Sequence, residues 1–201
     1  MLNSIPSRLT LWLFLVTCLA VLAGSPTAQG QVKPTLAAKI KSSVTTVYLV
    51  RHAEKDTAAT DPSLSALGQV RAQALRQLLV RRHPVALFTT DTKRARATIA
   101  PLAEATKLEP QMYDPKETTA LAVRIRKEYL GKVVVVVGHS NTLLPLIESL
   151  GGTLPVEEIG DDEYDYLFTV RISGSAQPTV GVRGYGAERR LTTAVKTPSA
   201  H

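Results

Sequence analysis

The chain has 201 residues, of which 44% are hydrophobic and 20% are charged, a composition that suits one soluble globular domain with a core of its own. Its 24 Lys and Arg residues against 17 Asp and Glu residues give a formal net charge of +7, which favours an anionic partner. Because the basic residues are scattered and aromatic residues make up only 5% of the chain, the composition argues against a nucleic-acid-binding surface built from basic and aromatic side chains.

Residues 1–30 have the organisation of an export signal. Arg8 is followed by an apolar run from Leu9 to Gly24 and then by small and polar residues. This order predicts a secretory signal peptide whose cleavage leaves an exported protein, periplasmic or secreted, without stable membrane insertion. The alternative is an uncleaved anchor, for which an apolar run of about 16 residues is slightly short. Cys18, the only cysteine, lies in this run, so we expect no disulfide in the mature protein.

Two patterns alternate after a polar linker over residues 31–43. Short runs rich in β-branched and apolar residues predict buried strands, and longer segments with apolar residues at helical spacing predict helices. A loop is predicted over 109–117, a possible edge strand over 179–186 and a flexible tail over 187–201. In chain order the main segments are strand 44–50, helix 65–82, strand 85–90, helix 93–106, helix 118–129, strand 133–138, helix 141–150 and strand 166–173.

This alternation predicts the fold class. Strands that alternate with helices imply right-handed βαβ crossovers, so we expect residues 44–186 to form a three-layer α/β/α sandwich with a mostly parallel central sheet. Ligands of such sheets bind just beyond the carboxyl ends of the strands. The residues that follow the predicted strands are therefore the candidates for a functional site.

Two histidines and two arginines occupy these positions. Arg51 and His52 follow the first strand, His139 follows the run of five valines, and Arg94 begins the helix after the intervening strand. A neutral imidazole can attack phosphorus, and neighbouring guanidinium groups lower its pKa by like-charge repulsion. Guanidinium groups also bind phosphate oxygens through paired, charge-assisted hydrogen bonds. The four side chains, with the helix N-terminus near Asn141, therefore predict a site for phosphoryl transfer.

Four segments together resemble the histidine phosphatase superfamily, the phosphoglycerate mutase-like group. They are VYLVRHAEK, DPSLSALGQVRAQAL, TTDTKRARATIAPLAE and VVVVVGHSNT, and they cover most of residues 44–150. The resemblance implies a phosphoglycerate mutase-like fold and a phosphatase in which His52 is transiently phosphorylated. It also implies that Arg51 and Arg94 bind phosphate and that His139 is the second histidine of the site.

The chain departs from the family pattern in three places. Ala53 stands where glycine is more frequent, and Thr90 stands where serine is usual. The segment that carries the proton-donating glutamate in mutase-like members is here a short loop. We therefore predict Asp114 as the proton donor, with Glu117 and Glu54 as alternatives.

Motifs of other phosphate-binding and phosphatase families are absent from the sequence. The sequence has no P-loop, no nucleotide-binding fingerprint and, without the leader, no cysteine nucleophile. Arginines beside His52 and His139 would repel a metal ion, and the acidic run Asp161 to Glu163 is expected to be a solvated loop, so we expect metal-independent chemistry without a cofactor. The predicted activity is hydrolysis of phosphate monoesters of small molecules or macromolecules. A phosphoglycerate mutase-like phosphotransferase and a non-catalytic binding protein for phosphorylated ligands are the alternatives.

Overall fold

The computed structural model of the chain describes residues 43–56, 60–174 and 176–186. The predicted leader, nearly all of the predicted linker and the predicted tail lie outside these described residues. Within the described ranges, none of the helices has the length and apolar character needed to cross a membrane.

The described residues form six strands and four helices. Every predicted helix and strand is present within a few residues of its predicted bounds, and the possible edge strand is confirmed as the last strand. A short 3₁₀ turn, Val80–Arg82, extends the first helix. The elements are β1 (Val44–Arg51), α1 (Ala66–Leu79), β2 (Ala86–Thr89), α2 (Lys93–Thr106), β3 (Gln111–Met112), α3 (Thr118–Glu128), β4 (Val133–Gly138), α4 (Ser140–Ser149), β5 (Tyr166–Ser173) and β6 (Thr179–Gly184).

The six strands form one mixed sheet in the order β3-β2-β4-β1-β5-β6. Strands β1 to β4 run parallel to one another, whereas β5 runs antiparallel to β1 and β6 antiparallel to β5. One face of the sheet packs against α3 and α4, and the other packs against α1 and α2. The predicted three-layer α/β/α sandwich with a mostly parallel sheet is therefore confirmed.

The central strands are buried on both faces, which explains their nearly continuous apolar sequence. In β1, Val47 and Leu49 contribute to the core beneath α3 and α4, whereas Tyr48 and Val50 contribute to the core beneath α1 and α2. The valines of β4 alternate between the same two cores.

One prediction within this fold was wrong. The segment 109–117, predicted as a loop, contains β3, whose two residues pair in parallel with Phe88 and Thr89 of β2. A two-residue strand is too short to show an alternating pattern of apolar and polar residues in the sequence. Its stability comes from pairing with β2. The pairing matters for the site, because it carries residues 113–117 to the carboxyl end of the sheet.

The register of β1 and β4 sets the geometry of the candidate site. Arg51 lies opposite Gly138 in the parallel ladder, and the backbone N–H of His52 donates to the carbonyl of Gly138 over 2.9 Å. His52 and His139 therefore leave the sheet side by side. Strand β2 pairs with the other edge of β4 and leads into α2, which carries Arg94 in its first turn.

Candidate active site

A cleft of about 460 Å³ opens at the carboxyl ends of β1, β2 and β4. The structure brings the four predicted arginine and histidine side chains together in it. Two lysines, Thr92, Pro115 and the first turn of α4 complete the described lining. The lining residues are Arg51, His52, Lys55, Thr92, Arg94, Pro115, Lys116, His139, Ser140, Asn141 and Thr142.

The imidazole of His52 is held in one tautomer. Only 4% of the residue is exposed, and Nδ1 lies 2.9 Å from the carbonyl oxygen of Ala53. Because a carbonyl oxygen can only accept a hydrogen bond, Nδ1 carries the hydrogen and donates it. The lone pair of the neutral ring is therefore on Nε2, the nitrogen available for attack.

The second histidine is positioned by two hydrogen bonds at the start of α4. The backbone N–H of His139 donates to Thr142 Oγ1 over 3.0 Å. Its Nε2 lies 2.8 Å from Thr90 Oγ1, at the end of β2. The His52 and His139 ring centroids are 5.3 Å apart, so the two imidazoles face one small space.

Burial keeps both imidazoles neutral. Desolvation is the largest cause that lowers the pKa of His52 to about 3, with smaller contributions from His139, Arg94 and Arg51. Desolvation also leads in lowering the pKa of His139 to about 4, followed by Arg94 and Arg51. From the sequence we expected neighbouring guanidinium groups to lower these pKa values, whereas in the folded protein burial has the larger effect.

The guanidinium of Arg51 is anchored by the loop before β5. Its Nη1 donates to the carbonyl oxygens of Gly160, Asp161 and Glu163 over 2.7, 3.0 and 3.3 Å. The group also stacks over the ring of Tyr164, 4.2 Å from the ring centroid. The acidic run Asp161 to Glu163 thus contributes backbone carbonyl groups, which orient the Arg51 guanidinium in the cleft.

Arg94 is less constrained. Its nearest acidic partner is Asp61, at 3.5 Å from Nη1 to Oδ1. Thr98, one turn later in α2, donates to the Arg94 carbonyl over 2.7 Å and accepts from the N–H of Ala53 over 2.9 Å. This pair of bonds fixes the first turn of α2 against the loop that carries His52.

Each of the two arginines retains an unused donor. The Nε atoms of Arg51 and Arg94 are buried and have no hydrogen-bond partner among the described residues. A buried donor without an acceptor is costly, so such donors are typical of sites that receive a ligand. An oxyanion in the cleft would supply acceptors to both guanidinium groups.

The three predicted proton donors do not line the cleft. Asp114 is exposed, accepts from the backbone N–H of Lys116 over 2.9 Å, and lies with Glu117 at a separate cavity of about 210 Å³. Glu54 is held by Arg71, whose Nε and Nη2 donate to its carboxylate over 2.7 to 3.0 Å. The catalytic role assigned to Asp114 therefore stays a prediction that the arrangement does not favour.

Sequence reasoning missed four residues of the site. Thr90 was seen only as a variant of serine, although it contacts His139. Tyr164 carried no signal, because it lies more than 100 residues from Arg51. Lys55 and Lys116 are adjacent in sequence to predicted site residues, and that adjacency was the available signal.

The charges of the cleft are those of an anion site. Within the described ranges, no group of three or more His, Cys, Asp or Glu side chains is arranged to hold a metal ion. The fold and the cleft together define an α/β protein in which two neutral imidazoles and two guanidinium groups surround space for an oxyanion.

Comparisons with known proteins agree with this class. The family model of the histidine phosphatase superfamily (branch 1) matches residues 47–115, which include Arg51, His52, Arg94 and Asp114. Residues 47–115, from β1 to the segment after β3, are thus similar in sequence to that superfamily. No curated protein matches the chain in sequence.

Solved structures share the fold at low sequence identity. The mycobacterial glucosyl-3-phosphoglycerate phosphatase superposes with a TM-score of 0.57 at 16% identity, covering 72% of this chain and 100% of its own. The putative phosphohistidine phosphatase SixA from Agrobacterium tumefaciens gives 0.51 at 21% identity, covering 71% and 97%. The protein histidine phosphatase SixA complexed with tungstate gives 0.54 at 14% identity, covering 70% and 96%.

Proposed function

We propose that this protein is a phosphatase that hydrolyses phosphate monoesters through a phosphohistidine intermediate on His52. The observation that carries the proposal is the convergence of two neutral imidazoles, 5.3 Å apart, with two arginines on one cleft of about 460 Å³. The fold is shared with phosphatases whose substrates include glucosyl-3-phosphoglycerate, which supports the same reaction class.

The first chemical step follows from the tautomer of His52. The Nε2 lone pair attacks phosphorus, the bond between phosphorus and the ester oxygen breaks, and the leaving oxygen takes up a proton from the predicted donor Asp114 or from solvent water. Arg51 and Arg94 hold the phosphoryl group in line and stabilise the charge on its equatorial oxygens. The Nδ1–H bond to Ala53 keeps the ring oriented as it becomes charged.

The second step regenerates the enzyme. A water oxygen attacks the phosphorus of phosphohistidine, the P–N bond breaks, and the electron pair returns to Nε2. One proton of that water passes to the group that protonated the leaving oxygen, or to solvent water. Because the two arginines already neutralise the phosphoryl charge, the proposed reaction is independent of metal ions.

The decisive experiment compares His52→Asn with His83→Asn. His83 is exposed and has φ of 51°, a conformation that asparagine tolerates, so it is a matched control outside the cleft. With 4-nitrophenyl phosphate and a chelator present, we expect His52→Asn to lose activity on the order of 10³-fold or more and His83→Asn to retain it. Mass spectrometry of the quenched wild type should show acid-labile phosphate on His52.

Two results would contradict the proposal. Unchanged turnover by His52→Asn would remove the nucleophile from the mechanism. Tight binding of phosphate esters without hydrolysis or phosphohistidine would favour a binding protein, and interconversion of phosphoglycerates would favour a mutase-like phosphotransferase.

A second candidate substrate is phosphohistidine in a protein. The observation that favours it is the absence of a carboxylate from the described lining of the cleft. An alkoxide leaving group needs a proton donor, whereas an imidazole already protonated on its other nitrogen leaves as a neutral molecule when the P–N bond breaks. The fold is also shared with a protein histidine phosphatase.

Carboxylate variants distinguish the two candidates. If Asp114 is the proton donor, Asp114→Asn should slow hydrolysis of an alkyl phosphate by roughly 10²- to 10⁴-fold and leave a phosphohistidine peptide nearly unaffected. If the protein acts on phosphohistidine, the peptide should be the better substrate, and Asp114→Asn and Glu117→Gln should both preserve its cleavage.

Export is part of the proposal because residues 1–30 have a leader composition. Fractionation of cells that express the full chain should recover a shortened protein outside the cytoplasm. Recovery of the full-length chain in the membrane fraction would favour the uncleaved anchor.

A further inference from the structure

The cleft contains more positive charge than one phosphoryl group requires. Its described lining includes four cationic side chains, from Arg51, Arg94, Lys55 and Lys116, and no acidic side chain. Two arginines suffice to pair with a phosphate dianion. The positive charges of the two lysines therefore have no anionic partner in the described lining when a simple phosphate ester is bound.

The lysines are free to bind a ligand. Both are exposed, and neither forms an ion pair with a described residue. Asp61, the acidic side chain nearest Arg94, is not among the lining residues. A cleft lined by charges of one sign raises the local concentration of oppositely charged ligands.

Backbone contacts fix both lysines at the opening of the cleft. Lys55 pairs with Leu64 in an isolated antiparallel bridge. The N–H of Lys116 donates to the Asp114 carboxylate over 2.9 Å, which holds the turn between β3 and α3. The two ammonium groups thus come from different loops that flank the phosphoryl site, and Asp114 has a defined positioning role for one of them.

We propose that Lys55 and Lys116 form an anion subsite that selects small phosphate esters bearing a second negative group, a carboxylate or a second phosphate. The proposal rests on the phosphatase function proposed for the same cleft. A volume of about 460 Å³ lies in the range of small-molecule sites, which favours a small phosphorylated acid over a macromolecule.

Matched substrates test the subsite. The 3- and 4-carboxyphenyl phosphates carry a second anion, and the corresponding carbamoylphenyl phosphates are neutral isosteres at that position. For wild type we expect kcat/KM to favour at least one carboxy ester over its isostere by roughly tenfold, because each lysine contact with a partly solvated anion contributes a few-fold. In the double variant Lys55→Gln/Lys116→Gln this ratio should fall to about one.

Lys132→Gln is the control for net charge. Lys132 is exposed and lies directly before β4, at the opposite end of that strand from the cleft. It should leave the ratio unchanged. A ratio near one in wild type, or equal ratios in wild type and the double variant, would overturn the subsite.

Binding separates this proposal from the proposed catalysis. In the His52→Asn background, calorimetry should show the carboxy ester bound several-fold more tightly than the carbamoyl ester, and the lysine substitutions should remove the difference. The binding measurement tests the subsite even if the wild type hydrolyses none of the esters. Absence of hydrolysis would reject the proposed phosphatase function and leave the proposed subsite standing. Lysine-dependent cleavage of an acidic phosphopeptide, with no preference among the small esters, would overturn the small-molecule assignment.

Discussion

A single hydrogen bond decides how His52 can act. The Ala53 carbonyl fixes the hydrogen on Nδ1, so the lone pair lies on Nε2. Burial lowers the pKa of the ring to about 3, so the proposed nucleophile is neutral throughout the physiological range. The same burial that keeps the proposed nucleophile neutral should lower the stability of the folded protein in acid.

The stability cost has a defined pH window. The folded-state pKa of about 3 lies below the ordinary value of 6.5, so between these values the unfolded chain binds more protons. The free energy of unfolding should therefore fall as pH drops through this window, by at most about 1.4 kcal/mol per pH unit for this residue.

Replacing His52 tests that window. The slope of unfolding free energy against pH between 6 and 4, from urea titrations, should be shallower for His52→Asn than for wild type. His83→Asn controls for the loss of an exposed imidazole. Parallel curves for wild type and His52→Asn would contradict the low pKa.

At the scale of elements, the junction of β4 and α4 sets the position of His139. A Cβ on Gly138 would lie 2.7 Å from the Tyr113 hydroxyl and 2.9 Å from Thr142 Oγ1. Tyr113 follows β3 and is largely buried, which raises its pKa to about 12. Glycine at position 138 therefore lets three elements meet beside the cleft.

Gly138→Ala should move the start of α4. We expect a loss of about 1–3 kcal/mol in stability and roughly tenfold or more in kcat, because even a small displacement of His139, a proposed catalytic group, lowers the rate. Adding Tyr113→Phe should restore part of both, since it removes the nearest clashing atom. Gly181→Ala in β6 is the control, because nothing lies within 4 Å of its added Cβ. Thermal unfolding and steady-state kinetics measure stability and kcat for each variant. Equal losses in Gly138→Ala and Gly181→Ala would contradict the proposed clash at position 138.

At the scale of the whole molecule, one buried ion pair joins distant parts of the chain. Arg71 in α1 binds Glu54 after β1, and its Nη1 also donates to the carbonyl of Tyr185 beyond β6. The side chains of Arg71 and Glu54 are only 7% and 14% exposed. This contact fixes the loop that carries His52 to the last described turn of the chain.

Breaking the pair should destabilise the fold strongly. Arg71→Ala leaves the Glu54 carboxylate buried without a partner, so we expect a loss of about 3–5 kcal/mol in chemical denaturation. Arg96→Ala removes an exposed pair with Asp91 and should cost about 0.5 kcal/mol or less. Similar losses for the two variants would show that Arg71 is not the constraint we describe.

Local patterns in the sequence predicted every element except β3, and they predicted the two arginines and two histidines of the candidate site. The apolar runs of β1 and β4 predict strands because only central strands are buried on both faces, and Arg51, His52 and His139 follow from the rule that ligands meet strand ends. The short strand β3 escaped prediction, because its stability comes from β2 and not from its own two residues.

Contacts between distant residues were decided only by the tertiary structure. Arg51 is oriented by carbonyl groups 109 to 112 positions away, Glu54 is bound by Arg71, and Lys116 rather than Asp114 lines the cleft. Side-chain periodicity shows which face of an element is buried but not which loops lie over a strand end. Those neighbours depend on the packing of the whole sheet, so the charges around the two histidines could be assigned only once the chain was folded.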